Sequence, residues 1–136
     1  MHPFRAAAEA GDREAVEAML ADDVVFTSPV VFKPYIGKPV TAAILRAVLR
    51  VFTGIRYVRE ISDGRDHALL FEAKVGDLTI TGCDFLRMND AGQVGELTVM
   101  VRPLSAAKAL AEAMAAEFAR VEREAREVGA APAAAD

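Results

Sequence analysis

Asp84 is the residue of this chain whose type and position most clearly suggest chemistry. The residues that share its face of a predicted strand are otherwise apolar: Leu78, Ile80, Gly82, Leu86 and Met88. Burying a carboxylate costs several kcal/mol unless it is hydrogen-bonded or protonated. No lysine or arginine occupies the facing rows, so we expect burial to raise the pKa of Asp84. Such a group donates a hydrogen bond when neutral and takes a proton when ionised, which makes Asp84 the candidate catalytic residue.

A second group of residues is predicted to contact a small ligand beside Asp84. Ser28 precedes Pro29 in a bend, where its hydroxyl stabilises the turn or contacts the ligand. Gly82 either opens space for the ligand or marks a bulge in the sheet. Tyr57 is either a core residue or a residue that points its hydroxyl inward. The predicted ligand-binding residues are Ser28, Phe71, Ile80, Gly82, Leu97 and Val99.

Helical patterns at both ends and in the middle of the chain frame these residues. Residues 3 to 21 predict two short helices separated at Gly11, with Asp12 as the cap of the second. Apolar residues at helical spacing predict a third helix from Pro39 to Gly54. A final helix is expected from Ser105 to about residue 128, followed by a disordered tail at 129–136. Residues 1–128 therefore form one predicted domain.

The segments between the helices predict a sheet that is mostly antiparallel. Residues 24–32 read as two short strands around Pro29, and residues 34–37 as a turn. From Ile55 the pattern alternates, with turn signals that separate four strands, so these strands are expected to be antiparallel neighbours. The outward face of this meander is too apolar for a free surface. It predicts a homodimer or, alternatively, a last helix that covers this face. Its members are Thr79, Thr81, Cys83, Phe85, Thr98 and Met100.

This order of elements resembles the nuclear transport factor 2-like superfamily. Three segments, at residues 21–29, 37–39 and 84–94, are similar to SnoaL-like proteins and ketosteroid isomerases. The resemblance covers roughly residues 4 to 102. It implies an α+β fold in which a curved, mostly antiparallel sheet wraps around helices to form a cone-shaped apolar pocket, with an extra C-terminal helix. The resemblance also implies a homodimer.

The resemblance also allows the isomerase residues to be compared one by one. The isomerase base falls on Ser28 and the oxyanion tyrosine on Phe4, while the second oxyanion donor, a neutral carboxylic acid, falls on Asp84. A serine without a neighbouring base cannot move a proton between carbons at neutral pH. Steroid isomerisation is therefore not expected. The acid and base residues of the similar polyketide cyclases and epoxide hydrolases are also incomplete.

Composition limits the remaining function classes. The 136 residues carry a net charge of -4 and no basic run, so neither nucleic acid nor a membrane is an expected partner. One cysteine, two distant histidines and the absence of phosphate-binding, dinucleotide-binding and HExxH motifs predict no metal and no cofactor, and a reducing cytoplasm. We expect a protein that binds a small hydrophobic or carbonyl-bearing metabolite. The alternatives are an enzyme that uses Asp84 as general acid or base on a polyketide-like or enolisable substrate, and a dimer with a filled core.

Overall fold

Four helices are present in the structure, a computed structural model that describes residues 1–133, with side-chain surroundings for residues 1–127. They are α1 (Pro3–Ala10), α2 (Arg13–Ala18), α3 (Lys38–Val51) and α4 (Leu104–Ala133). Gly11 adopts a positive φ of 67°, which ends α1, and the Asp12 carboxylate accepts the backbone N–H of Ala15 to cap α2. The predicted break between the first two helices is confirmed.

Six strands form one curved, unclosed sheet. They are β1 (Leu20–Thr27), β2 (Tyr35–Ile36), β3 (Thr53–Asp63), β4 (Asp66–Val75), β5 (Leu78–Met88) and β6 (Val94–Arg102). The strand order is β2-β1-β6-β5-β4-β3, with every pair antiparallel except β1 and β6. The α+β fold class and the antiparallel meander are confirmed.

The segment between β1 and α3 differs from its prediction. The second strand is not at residues 30–32, which form bends, but at Tyr35–Ile36, where a turn was predicted. The Ser28 hydroxyl accepts the backbone N–H groups of Val30 and Val31 at 3.1 and 3.3 Å. Those two donors are therefore unavailable to a neighbouring strand, and pairing with β1 begins only after Pro34.

Two element boundaries also differ from their predictions. Leu20, assigned to the apolar stripe of the second helix, is the first residue of β1, where it pairs with Val94 and is fully buried. The last helix extends beyond residue 128 to Ala133, into the segment predicted as a tail. Residues 134–136 of that predicted tail lie outside the described residues.

The core lies between the concave face of the sheet and α3. Alanines 42, 43 and 47 lie on the buried face of α3, which packs against α4 and β1. Helix α4 packs on α3, where it buries Ala106, Leu110 and Val121. Charged residues join the same two helices: Arg50 Nε donates to Glu117 Oε1 at 2.6 Å. α4 therefore closes the helical side of the cone instead of covering the outward face of the sheet.

Gly82 on β5 has no side chain, and this allows the Phe71 ring of β4 to lie over it on the concave face. It pairs with Phe71, and a Cβ at Gly82 would lie 2.6 Å from Cε2 of the Phe71 ring and 3.0 Å from the Met100 carbonyl oxygen. The Phe71 ring therefore occupies the space that a side chain at position 82 would need. This contact accounts for Gly82 without the bulge or ligand space considered from the sequence.

We predict that Gly82→Ala destabilises the protein by about 1–3 kcal/mol, because an added methyl group overpacks a filled core. Gly95→Ala in β6 is the matched control, since a Cβ there meets no atom closer than 3.6 Å. Urea unfolding of both variants measures the difference. Equal stability of Gly82→Ala and wild type would contradict the contact, and Phe71→Leu combined with Gly82→Ala should recover part of the loss.

Candidate functional site

A cavity of about 480 Å³ lies inside the cone, between the concave sheet, the four helices and the bend after β1. Its wall is almost wholly apolar. The sheet and the bend contribute Phe26, Ser28, Pro29, Val30, Val31, Tyr35, Ile55, Tyr57, Phe71, Asp84 and Val99. The helices, with Phe52 after α3, contribute Phe4, Ala8, Val16, Ile44, Leu45, Val48, Leu49, Phe52, Leu110, Met114, Ala115 and Phe118.

Among the described residues of this wall, Asp84 is the one with a carboxyl group, and it is only 6% exposed. The Tyr57 hydroxyl donates a hydrogen bond to its Oδ2 at 2.6 Å. Tyr57 lies on β3 and reaches across β4, where its ring packs edge-on against Phe71. The hydrogen bond holds Oδ2, which leaves Oδ1 for a ligand.

The surroundings of Asp84 hold its pKa far from its ordinary value. Burial away from water raises the pKa of Asp84 to about 7, and the hydrogen bond from Tyr57 opposes this rise by stabilising the charged form. The pKa of Tyr57 is also raised, first by its own burial and then by the nearby Asp84 charge, so Tyr57 remains a donor. Near neutral pH, Asp84 can therefore donate a hydrogen bond or accept a proton.

The structure brings together some of the predicted site residues and separates others. Asp84, Ser28, Phe71 and Val99 line the cavity. Ile80, Gly82 and Leu97 lie on the same face of the sheet but outside the cavity wall, because Ile80 and Leu97 are fully buried in the core and Phe71 covers Gly82. Their predicted contact with a ligand stays a prediction, and the cavity wall as described does not include them.

Sequence reasoning left open the role of Tyr57 and missed the contribution of the helices. The alternating pattern of β3 places Tyr57 on the inner face, but only the sheet register shows that its hydroxyl reaches Asp84. Met114 and Phe118 belong to the apolar stripe of the last helix that the sequence predicted. Their place in the cavity depends on the packing of α4 on α3, which the apolar stripe alone does not reveal.

Two further properties bear on the kinds of site present. Among the described residues, no group of three or more His, Cys, Asp or Glu side chains is arranged to hold a metal ion. None of the helices as described combines the length and the apolar character needed to span a membrane.

The fold and the pocket define an α+β protein of the cone-shaped, NTF2-like type. The sequence model of the SnoaL-like domain matches residues 2–97, and the chain belongs to this family. The resemblance recognised from the sequence is thereby confirmed. The match ends before α4, so the helix that completes the cavity wall lies outside the matched segment. No curated protein gives a significant match.

Solved structures agree with this assignment. An uncharacterised protein with a cystatin-like fold from Silicibacter pomeroyi is 34% identical, with 90% of this chain and 89% of that chain covered and a TM-score of 0.84. A steroid delta-isomerase from Pseudomonas aeruginosa is 38% identical, with 86% and 87% covered and a TM-score of 0.81. An NTF2-like protein from Cytophaga hutchinsonii, 17% identical with 74% and 85% covered and a TM-score of 0.59, shares the fold.

We predict that Asp84→Asn is neutral to stabilising near pH 7 and increasingly stabilising, relative to wild type, as pH rises from about 4 to about 7. The folded protein keeps the Asp84 proton to about pH 7, whereas the unfolded chain releases it near pH 4. The folded state binds more protons in this window, so the free energy of unfolding of wild type falls with rising pH. The loss is about 1.4 kcal/mol for each unit of pKa shift.

Urea unfolding of both proteins from pH 4 to 9, with a carboxyl-carbon NMR titration of Asp84, measures this effect. A titration midpoint at or below about 4 would contradict it. Tyr57→Phe provides an independent check of the hydrogen bond. Because that bond lowers the pKa of Asp84, its removal should move the midpoint above the wild-type value.

Proposed function

We propose that this SnoaL-like protein binds a small hydrophobic or carbonyl-bearing metabolite in its internal cavity, in the cytoplasm. The observation that carries the proposal is a largely apolar cavity of about 480 Å³ with a buried carboxyl group on its wall. This volume lies within the usual range of small-molecule sites, which combine apolar walls with a few orienting polar groups. The O–H of a neutral Asp84 would donate a hydrogen bond to a ligand carbonyl.

The test uses N-phenyl-1-naphthylamine, a neutral fluorescent probe of apolar sites. At a concentration of 100 times its Kd, the probe should stabilise wild type by about 2.7 kcal/mol. Val99→Phe places a larger side chain on the cavity wall and should weaken binding at least tenfold. Ile61→Phe is the matched control, because Ile61 is 57% exposed on β3 and belongs neither to the described cavity wall nor to the residues named for the outward face of the sheet.

The outcome that would overturn the proposal is a wild-type protein with no saturable fluorescence change and no thermal stabilisation. Equal binding by Val99→Phe and wild type would place the probe elsewhere than in the cavity. A filled core, the third possibility left open by the sequence, predicts the first of these results.

A second candidate function is catalysis by Asp84 as general acid or base on a polyketide-like or enolisable substrate. The observation that favours it is the pKa of about 7, since a group that titrates near the working pH exchanges protons efficiently. Asp84→Asn discriminates the two functions. The amide still donates a hydrogen bond, so binding survives, whereas it cannot take a proton, so turnover is lost.

Steroid isomerisation is not proposed, although a structure 38% identical to this chain is described as a steroid delta-isomerase. Ser28 stands where the resemblance places the base, and its hydroxyl accepts two backbone N–H groups instead of pairing with a base. Phe4, which lines the cavity, has no hydroxyl to stabilise an oxyanion. A rise in absorbance when an unconjugated steroid enone is converted to the conjugated isomer would overturn this argument.

We also propose that the protein is a homodimer joined through the outward face of the sheet. Phe85 is 42% exposed and Met100 60% exposed on that face. The strand register places Cys83 beside Met100 and Phe85 beside Thr98, so these residues form one patch. Water contact with such a patch is unfavourable, and a second copy of the same face would cover it.

Light scattering at micromolar concentration should give twice the 14.6 kDa of one chain. Phe85→Glu should shift the protein to the monomer, because it buries a charge in the proposed interface. Ala116→Glu, at an exposed position of α4, is the control and should remain dimeric. A monomeric wild type would refute the dimer without affecting the proposed binding function.

A further inference from the structure

The polar side chains of the cavity form two separate groups. Of the wall residues, only four carry a side-chain oxygen: Ser28, Tyr35, Tyr57 and Asp84. Tyr57 and Asp84 are joined by their hydrogen bond at the β3–β5 side of the sheet. Ser28 and Tyr35 lie at the other side, at the end of β1 and on β2. Strand β6, which contributes the apolar wall residue Val99, lies between the two groups.

The strand register fixes how far apart these groups are. Thr27 of β1 pairs with Thr98 of the parallel strand β6, so Ser28 follows at the level of Val99. Val99 in turn pairs with Asp84 on β5. Ser28 and Asp84 therefore stand on one row of the concave face, two strands apart, which corresponds to about 10 Å along the sheet.

Ser28 is set up as a donor towards the cavity. Its oxygen already accepts the N–H groups of Val30 and Val31, which uses both of its lone pairs. The hydroxyl proton is left to donate, and Ser28 lines the cavity. The bend at residues 28–31 thus both lines the cavity and holds the oxygen of the Ser28 hydroxyl.

Tyr35 adds a second hydroxyl at the same end. It pairs with Phe26 across β2 and β1, and the two rings stack with centroids 6.2 Å apart. This stacking positions the phenol ring on the cavity wall next to the Ser28 bend. Ser28 and Tyr35 are thus the two hydroxyl-bearing residues of the described wall at this end.

We propose that the ligand carries an oxygen function at each end of a rigid apolar body about 10 Å long. One oxygen bonds to the Asp84 carboxyl, and the other bonds to the hydroxyls of Ser28 and Tyr35. This inference rests on the proposed binding function and specifies the chemical class of the ligand. A ligand oxygen that found no partner in this apolar wall would weaken binding, because its loss of water would be uncompensated.

Three probes with one shared body test the proposal: biphenyl, 4-hydroxybiphenyl and 4,4′-dihydroxybiphenyl. Calorimetry or displacement of N-phenyl-1-naphthylamine gives each Kd. Each added hydroxyl should tighten binding about threefold to tenfold, since each makes a net hydrogen bond in the cavity. Tyr35→Phe and Ser28→Ala should remove the gain from the second hydroxyl and leave the Kd of 4-hydroxybiphenyl unchanged.

Control variants separate loss of a contact from loss of structure. Ser28→Thr keeps the hydroxyl and should retain the wild-type order of affinities. Tyr35→Phe keeps the ring that stacks on Phe26, so it tests the same end of the cavity if Ser28→Ala disturbs the bend. Thr53→Ala, at an exposed position of β3 outside the described cavity wall, should change none of the three affinities.

The outcomes distinguish this inference from the function on which it rests. If biphenyl and the two hydroxylated probes bind equally well, or if the dihydroxy probe binds no more tightly than the monohydroxy one, the two-ended ligand is refuted while cavity binding stands. If biphenyl itself does not bind and N-phenyl-1-naphthylamine does not bind either, the proposed function fails.

Discussion

The free energy cost of keeping the Asp84 carboxyl out of water dominates the chemistry of this protein. That cost favours the neutral acid and raises its pKa to about 7, while the hydrogen bond from Tyr57 limits the rise. A carboxyl group with no such donor would be more strongly neutral, and one exposed to water would be a simple anion. Both the neutral and the ionised form of Asp84 are therefore accessible near neutral pH. The other described residues of the cavity wall carry no charged side chain.

The shape of the cavity follows from how the core is packed around that carboxyl group. Gly82 has no side chain, which leaves room for the ring of Phe71. That ring packs edge-on against Tyr57 and so helps to position the hydroxyl that bonds to Asp84. On the helical side, α3 buries small residues in the core, and its larger apolar residues line the cavity. The cavity is thus the space that this combination of small and large residues leaves open.

Helix α4 completes the cavity wall, but in the described part of the chain its packing on α3 leaves buried polar atoms without hydrogen bonds. Its arginine and glutamate contacts with α3 are incomplete, because Arg50 Nη1, Arg50 Nη2 and Glu124 Oε2 are buried without a hydrogen-bond partner within the described residues. Partly satisfied polar groups in such a layer contribute less to stability than apolar contacts would. We infer that the buried residues Ala106, Leu110 and Val121 hold α4 in place, and that the charged layer sets its orientation.

The sequence alone determined the local structure and the unusual position of Asp84. The helix break at Gly11, the alternation of β4 and β5 and the acid within an apolar row can all be recognised because each depends on residues close together in the chain. The position predicted for β2 was wrong, because the Ser28 hydroxyl accepts the backbone N–H groups that a strand at residues 30–32 would need for pairing.

Only the tertiary structure decided which residues share the cavity with Asp84. Tyr57 reaches it from two strands away, and α4 contributes wall residues from beyond residue 103, contacts that depend on register and on helix packing. Ile80 and Leu97 follow the same alternating pattern as the wall residue Val99, yet both are fully buried within the core. Periodicity identifies the face of a strand, but the depth of a side chain depends on what packs over that face.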